Sequence, residues 1–239
     1  MQDKKLTKKE RRLLRAQGIT VNNVMNLTDI NPKTMNQKKA FDSFRKHKNL
    51  FFHGTPGTGK TFVGLYLALN EVLNHEEQDK VIVVRSVVPS RDIGFLPGNQ
   101  KEKARVYETP YQLICTELFN RGDAYEILKQ KNQIEFLTTS YIRGITIKNS
   151  ILVIDEIQNL NWGEIYTILT RVGENCRVII CGDTKQSDLT EKDGKRDLLK
   201  LLNVCRNMNT FEFIQMTRND IVRSGFVKEF IIECENLGY

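Results

Sequence analysis

Residues Gly54 to Thr61 read Gly-Thr-Pro-Gly-Thr-Gly-Lys-Thr, and this stretch decides the fold. It matches the Walker A pattern, in which glycines form a turn between a strand and a helix. Asn49 to His53 precede it as a short apolar run, and Phe62 to Asn74 follow it with apolar residues at helical spacing. The backbone N–H groups of such a turn and the positive end of the helix attract phosphate. The stretch therefore predicts a nucleotide-binding loop over Gly54 to Thr61, called the phosphate loop below.

Each residue of this loop has an expected role. Lys60 would reach the β- and γ-phosphates of the nucleotide, and the hydroxyl of Thr61 would coordinate Mg²⁺. The other residues of the loop would surround the phosphates; they are Gly54, Thr55, Pro56, Gly57, Thr58 and Gly59. The alternative is a chance glycine turn, which about one chain in a hundred of this length would contain.

An acidic motif further along the chain supplies a second part of the site. The apolar run Ser150 to Ile154 is followed directly by Asp155 and Glu156, as in a Walker B strand. Asp155 would lie near the Mg²⁺ held by Thr61, and Glu156 would polarise the attacking water. A strand that ends in solvated acids is common in α/β proteins, but the Walker A loop favours the hydrolytic interpretation.

A polar segment with a glutamine follows another apolar run. It reads Gly182-Asp-Thr-Lys-Gln186. At the carboxyl end of a sheet strand, Asp183 and Gln186 would lie over the γ-phosphate or the attacking water. A glutamine at that place can sense the phosphate by hydrogen bonding without adding charge. The alternative is a polar loop without a role in the site.

Short apolar runs alternate with helical patterns along the chain, which predicts a parallel α/β sheet flanked by helices. The region from Lys101 to Lys131 is predicted to be mainly helical, with a helix start at Thr109-Pro110. The predicted strands are Asn49 to His53, Lys80 to Arg85, Ile134 to Thr138, Ser150 to Ile154, Cys176 to Cys181 and Thr210 to Gln215.

The charge of the chain is concentrated at its start. Of the net +7, residues 1–16 carry +5, and the 223 residues that follow carry only +2. We expect a basic arm over residues 1–33 and a nucleotide-binding domain over residues 34–239. A nucleic-acid contact and a solvated helix or frayed terminus explain the arm equally well.

Composition also bounds the environment of the protein. No apolar run approaches the length of a membrane span, and the N-terminus is too charged for a secretion signal. The five cysteines form no Cys-x-x-Cys pair, which is typical of reduced thiols. We therefore expect a cytoplasmic protein without a membrane partner.

Together these motifs resemble the PhoH family, whose ATPase domain is similar to the first motor lobe of superfamily 1 helicases. Ser86 stands where that family usually has proline, and the family's glycine near Ser90 is missing, which affects partner contacts more than ATP chemistry. The segments that carry the resemblance are 34–37, 54–61, 84–89, 93–98, 141–144, 155–158, 182–186 and 220–223.

The resemblance implies a RecA-like P-loop NTPase that uses ATP and Mg²⁺. It implies that Gln37 reads the adenine edge, although a capping or surface amide is equally consistent with the sequence. It also implies that Arg85 and the loop to Gly98 contact single-stranded nucleic acid, although the glycines and proline of that loop fit a rigid turn equally well.

An arginine near the C-terminus is the last candidate for the site. Arg223 lies in a segment that resembles the family's C-terminal arginine motif, and phosphoryl transfer gains from a guanidinium at the transition state. Superfamily 1 helicases draw such arginines from a second motor lobe, so the resemblance implies an arginine from a neighbouring subunit and a homo-oligomer, hexameric in form. The alternative is an ordinary helix surface charge.

Three functions are open on the sequence. The first is an ATPase that works on RNA or single-stranded DNA, with Lys60, Glu156, Gln186 and Arg223 as catalytic residues. The second is an ATP-gated interaction module without strand-separating activity. The third is a small-molecule kinase, which the water-directed Glu156 and Gln186 disfavour.

Overall fold

The computed structural model describes residues 26–75, 77–86, 100–183 and 191–237, with the side chains of 100–104 and 191–195 outside that description. Within these ranges the chain forms one sheet of six strands flanked by helices. The strands are β1 Asn49–Gly54, β2 Lys80–Arg85, β3 Ile134–Thr138, β4 Ser150–Ile154, β5 Arg177–Gly182 and β6 Phe211–Met216. The helices are α1 Met35–Arg45, α2 Lys60–Asn70, α3 Gln100–Phe119, α4 Ala124–Gln130, α5 Trp162–Leu169, α6 Glu191–Arg206 and α7 Gly225–Asn236.

The order of the strands across the sheet is β3-β2-β4-β5-β1-β6, and every neighbouring pair is parallel. Strand β5 therefore separates β1, which leads into the phosphate loop, from β4, which ends before the acidic pair. Because all six strands run in one direction, their carboxyl ends lie at one edge. The predicted α/β class, a RecA-like P-loop fold with helices around a parallel sheet, is confirmed.

The predicted strands agree closely with the observed ones. Strands β2, β3 and β4 have the predicted bounds, whereas β1 is one residue longer and β5 and β6 are each shifted one residue towards the C-terminus. The ladder extends because Gly54 pairs with Met216 and His53 pairs with Gly182. Apolar content predicts where a strand lies, but the pairing partners decide its last residue.

The helix prediction at Thr109-Pro110 is wrong, because α3 begins at Gln100 and has Pro110 in its interior. A proline within a helix costs about 3 kcal/mol, since it removes one N–H donor and crowds the preceding turn. Three fully buried side chains lie just beyond it, namely Tyr111, Cys115 and Leu118. Burying a large apolar side chain contributes about 1.5–3 kcal/mol, so packing outweighs the proline.

Helix α2 also differs at both ends from the prediction, which placed it over Phe62 to Asn74. It begins at Lys60, directly after Gly59, whose φ of +82° lies in the left-handed region. It ends at Asn70 and continues as a π-helical turn over Glu71–His75. The start at Lys60 places the first turn of the helix within the phosphate loop.

The core lies on both faces of the sheet. On β4, Ile151 and Val153 pack on one face, while Leu152 and Ile154 pack on the other. All five residues of β4 are buried, which explains why the strand is apolar throughout instead of alternating. The acidic residues Asp155 and Glu156 therefore follow a strand that is packed on both faces.

The described residues that precede α1 pack on the same core. The Thr28 N–H donates to the Leu118 carbonyl at 2.9 Å, and the Ile30 N–H donates to the Tyr66 hydroxyl at 3.3 Å. Residues 1–25, with most of the predicted basic arm, lie outside the described ranges. The five cysteines are free thiols. None of the helices in the described ranges is long and apolar enough to cross a membrane.

Candidate active site

The phosphate loop has a backbone that only glycine accommodates at its first position. Gly54 has a φ of +114°, and a Cβ added there would lie 2.0 Å from the Met216 carbonyl oxygen. Gly57 and Gly59 also lie in the left-handed region, at +73° and +82°. The loop thus turns tightly from β1 into α2, with the start of the helix at its end.

Lys60 folds back over the loop. Its ammonium group donates to the carbonyl oxygens of Gly54 and Thr55, both at 2.8 Å. Burial lowers the pKa of Lys60, and the nearby carboxylate of Asp183 opposes that effect. An anion bound in the loop would stabilise this partly desolvated ammonium group, which neutral carbonyls and nearby acids surround. This placement suits the predicted contact with phosphates.

Thr61 and Asp155 come together as the spacing of the two motifs predicts. The Thr61 hydroxyl donates to Asp155 Oδ1 at 2.8 Å, and Asp155 is only 4% exposed. A hydroxyl and a carboxylate beside a phosphate loop are the hard oxygen ligands that Mg²⁺ takes together with nucleotide phosphates. The donor set therefore fits Mg²⁺.

The second oxygen of Asp155 has a partner that the sequence did not indicate. Tyr111, from the middle of α3, donates its hydroxyl to Asp155 Oδ2 at 2.9 Å. An aromatic residue at helical spacing reads as core, and Tyr111 is indeed fully buried. Only the tertiary structure brings its polar atom to the acidic motif.

Glu156 stands in an unusual environment. Its φ of +51° is in the left-handed region, where a residue with a Cβ is strained. Burial raises the pKa of Glu156, and the neighbouring charge of Asp155 raises it further, while Arg85 and the Gln158 amide act in the opposite direction. A carboxyl whose pKa lies above its ordinary value is a stronger base once it is ionised.

Gln158 links the acidic motif to the next strand. Its amide nitrogen donates to Glu156 Oε2, and its carbonyl oxygen accepts from the Asp183 N–H at 2.9 Å. A Cβ on Gly182 would lie 2.3 Å from Ile157 Cγ2 and 3.0 Å from Gln158 Oε1, so that glycine leaves room for the link. Gln186 lies outside the described residues, and its role stays a prediction.

Gln37 is held against the phosphate loop and is 4% exposed. Its amide nitrogen donates to the Thr58 carbonyl at 3.2 Å, and its amide oxygen accepts from the Lys33 N–H at 2.8 Å. It also lies in the first turn of α1, where its N–H donates to Thr34 Oγ1. The role of Gln37 as an adenine reader stays a prediction.

The segment that carries Arg223 crosses the phosphate loop of its own chain. The Val222 N–H donates to the Gly57 carbonyl at 3.2 Å, and a Cβ on Gly57 would lie 3.2 Å from Arg223 Cγ. A second contact joins the loop to α7, where Thr55 Oγ1 donates to the Glu235 carboxylate at 2.8 Å. The side chain of Arg223 is exposed, so its guanidinium is not committed to the core.

Arg85 lies at the end of β2 and faces α3. Its guanidinium carries its positive charge close to the Tyr111 hydroxyl and lies 5.8 Å from the ring centroid of Tyr107. Residues 87–98 of the segment that was expected to contact nucleic acid are outside the described ranges. Arg85, which the structure describes, therefore lies close to Tyr111 and to the acidic motif.

Comparison with known proteins places these motifs in a family. The profile described as "PhoH-like protein" matches residues 29–234. A PhoH-like protein of Synechocystis sp. is 30% identical over 203 residues, which cover 84% of this chain and 61% of that protein. A PhoH-like protein of Bacillus subtilis is 29% identical over 202 residues, which cover 84% of this chain and 63% of that protein. The chain thus spans less than two thirds of the curated relatives it matches.

Among solved structures, the large terminase of a thermophilic bacteriophage in complex with ADP aligns with a TM-score of 0.48 at 13% identity. The alignment covers 82% of this chain and 48% of the terminase. The family assignment rests on the profile match, which covers most of the chain and includes the loop at Gly54–Thr61 and the acidic pair Asp155–Glu156. The chain belongs to the PhoH-like protein family and carries its P-loop NTPase domain.

Proposed function

We propose that this chain hydrolyses ATP with Mg²⁺. The observation that supports this proposal most directly is the contact of Thr61 with Asp155, beside the half-buried, strained Glu156. A hydroxyl and a carboxylate that meet next to a phosphate loop are two oxygen ligands suited to Mg²⁺, and the adjacent carboxylate supports a base for the attacking water.

The residues of this chain have distinct tasks in the proposed reaction. Lys60 exchanges its loop carbonyls for the β- and γ-phosphates. Thr61 and Asp155 would hold Mg²⁺, which would neutralise charge on the phosphate oxygens. Glu156 accepts a proton from the attacking water, and Gln186 senses the γ-phosphate. Gln37 selects adenine over guanine through its amide, after releasing a contact to Lys33 or Thr58.

Arg223 is proposed to stabilise charge at the transition state within its own chain. The hydrogen bond of the neighbouring Val222 to the Gly57 carbonyl holds this segment on the loop of its own chain, and it favours this site over that of a neighbouring subunit, which the family resemblance implies. A homo-oligomer, hexameric in form, then rests on the resemblance alone. The two arrangements give different results when inactive variants are mixed.

The rate of hydrolysis is expected to fall in mild acid. The raised pKa of Glu156 means that its carboxyl is protonated at a pH where an ordinary glutamate, with a pKa of about 4.3, is ionised. Because only the ionised form accepts a proton, kcat/KM should rise with pH through that raised pKa. A pH profile of kcat/KM checks this expectation, with ATP binding measured over the same range as the control. An acid limb at the ordinary glutamate range would contradict it.

We further propose that ATP hydrolysis is coupled to RNA or single-stranded DNA. The basic residues 1–16, the family-like segments and the position of Arg85 at the nucleotide edge of the sheet support this coupling. The test is steady-state ATPase with and without RNA and single-stranded DNA at low salt, alongside mass by light scattering. Hydrolysis indifferent to either polymer, with no binding, would refute the coupling and leave the ATPase.

The ATP-gated interaction module remains the second candidate, and one contact favours it. Glu235 of α7 accepts a hydrogen bond from Thr55 in the phosphate loop, so a change in the loop when nucleotide binds would reach α7 through this contact. Such a helix can report occupancy without turnover. The rate of phosphate release by a Glu156 variant distinguishes the two functions.

A further inference from the structure

Asp155 has hydrogen-bond partners on both oxygens of its carboxylate, and they come from different elements. Oδ1 accepts from Thr61 at the start of α2, and Oδ2 accepts from Tyr111 in α3. The backbone N–H of Asp155 donates to the Val84 carbonyl of β2 at 2.9 Å. The two side-chain contacts fix the rotation of the carboxylate about its last bond, which is otherwise soft.

The direction of the Tyr111 hydrogen bond is set by its acceptor. The positive charge of the Arg85 guanidinium also lies close to the Tyr111 hydroxyl. Because a carboxylate is an acceptor only, the single hydroxyl proton of Tyr111 is donated to Asp155 Oδ2.

The ring of Tyr111 is fixed as firmly as its hydroxyl. Tyr111 is fully buried, and its ring lies 5.8 Å from the ring of Phe136 on β3. A hydroxyl carried on a packed ring has little freedom to follow the carboxylate. The carboxylate must therefore adopt the orientation that the hydroxyl dictates.

We propose that Tyr111 is a positioning residue that orients Asp155 towards Thr61 and thereby sets the affinity of the site for Mg²⁺ with nucleotide. The proposal deepens the ATPase function and rests on it for the identity of the metal. Partners of this kind behind a metal ligand typically change metal affinity or activity about 10- to 100-fold when they are removed.

Tyr111→Phe removes the hydroxyl and keeps the packed ring. We expect the Mg²⁺ concentration for half-maximal ATPase to rise about tenfold. We expect Mg²⁺ to tighten binding of a fluorescent ADP analogue correspondingly less, while binding in EDTA stays unchanged. The EDTA measurement and a thermal unfolding curve report whether the variant has kept its fold.

Tyr125→Phe is the matched control. Tyr125 is a second buried tyrosine, on the neighbouring α4, and its hydroxyl lies near Glu108 instead of the phosphate loop. Its loss is expected to leave the Mg²⁺ dependence of ADP binding unchanged. A general effect of removing a buried hydroxyl would appear in both variants, and that result would overturn the proposal.

A double variant tests whether Tyr111 acts through Asp155. In an Asp155→Asn background, Tyr111→Phe should cause no further loss of Mg²⁺ dependence, because the group that it positions is already gone. Equal losses in both backgrounds, or a single variant with wild-type Mg²⁺ dependence, would overturn the proposal. The ADP-binding arm needs no turnover, so absent ATPase in the wild type would refute the proposed function and still leave this inference tested.

Discussion

Glu156→Gln is expected to lower steady-state ATP hydrolysis by about 10²- to 10⁴-fold and to leave ATP binding in place. The amide has nearly the shape of the carboxylate but cannot accept a proton from water. The substitution also removes the repulsion from Asp155 that helps to raise the pKa of Glu156, so we expect no loss in the stability of the folded state. Phosphate release and binding of a fluorescent ATP analogue measure the two effects separately.

The control is Glu126→Gln, which removes an exposed carboxylate of α4 far from the loop. It makes the same chemical change without touching the acidic motif, and we expect wild-type rates. Unchanged phosphate release in Glu156→Gln would refute the hydrolytic role of Glu156. Lost ATP binding in that variant would show that the carboxylate supports the ground state instead.

Arg223→Ala is expected to lower kcat by about 10³-fold with a smaller effect on KM. The guanidinium would act on charge that exists only in the transition state, so its loss should spare binding. Arg218→Ala, five residues earlier and also exposed, is the matched control. Equal rates for the two variants would refute the catalytic role and show that Arg223 is an ordinary surface charge.

Mixing the Arg223→Ala and Lys60→Ala variants shows whether Arg223 acts in the site of its own subunit or in that of a neighbouring subunit. Lys60→Ala keeps the arginine but has no working phosphate loop, and Arg223→Ala has the reverse defect. If Arg223 acts within its own chain, no site in the mixture has both groups and activity stays at the level of the separate variants. Recovered activity in the mixture would contradict that arrangement and support an arginine from a neighbouring subunit.

The sheet could be predicted from the sequence because its four inner strands, β1, β2, β4 and β5, are short and mainly apolar runs that are buried on both faces of the sheet. The helix boundaries could not be predicted as well. The preference of proline for the first turn of a helix predicted a start at Pro110. The packing of buried residues of α3 such as Tyr111 instead stabilises a helix that begins at Gln100. The energy that decides such a boundary comes from partners that are distant in sequence.

Part of the candidate site could also be predicted from the sequence, and part of it could not. Thr61 and Asp155 are 94 residues apart, and their contact follows from two motifs with fixed places in the sheet. Tyr111 belongs to no motif, because its importance depends on one hydroxyl that reaches the acidic pair only in the folded chain. The proximity of Arg223 to Gly57 likewise comes from the path of the chain after β6, which no local pattern specifies.

The position of β1 has a consequence for the synthesis of the protein. Its two neighbours in the sheet are β5 and β6, so the strand before the phosphate loop is paired by residues 177–216. During synthesis at about 5–20 residues per second, the loop at Gly54 waits on the order of ten seconds before Met216 exists to pack against it. The phosphate loop therefore gains its complete surroundings only late in synthesis, because β1 depends on long-range pairing that slows folding.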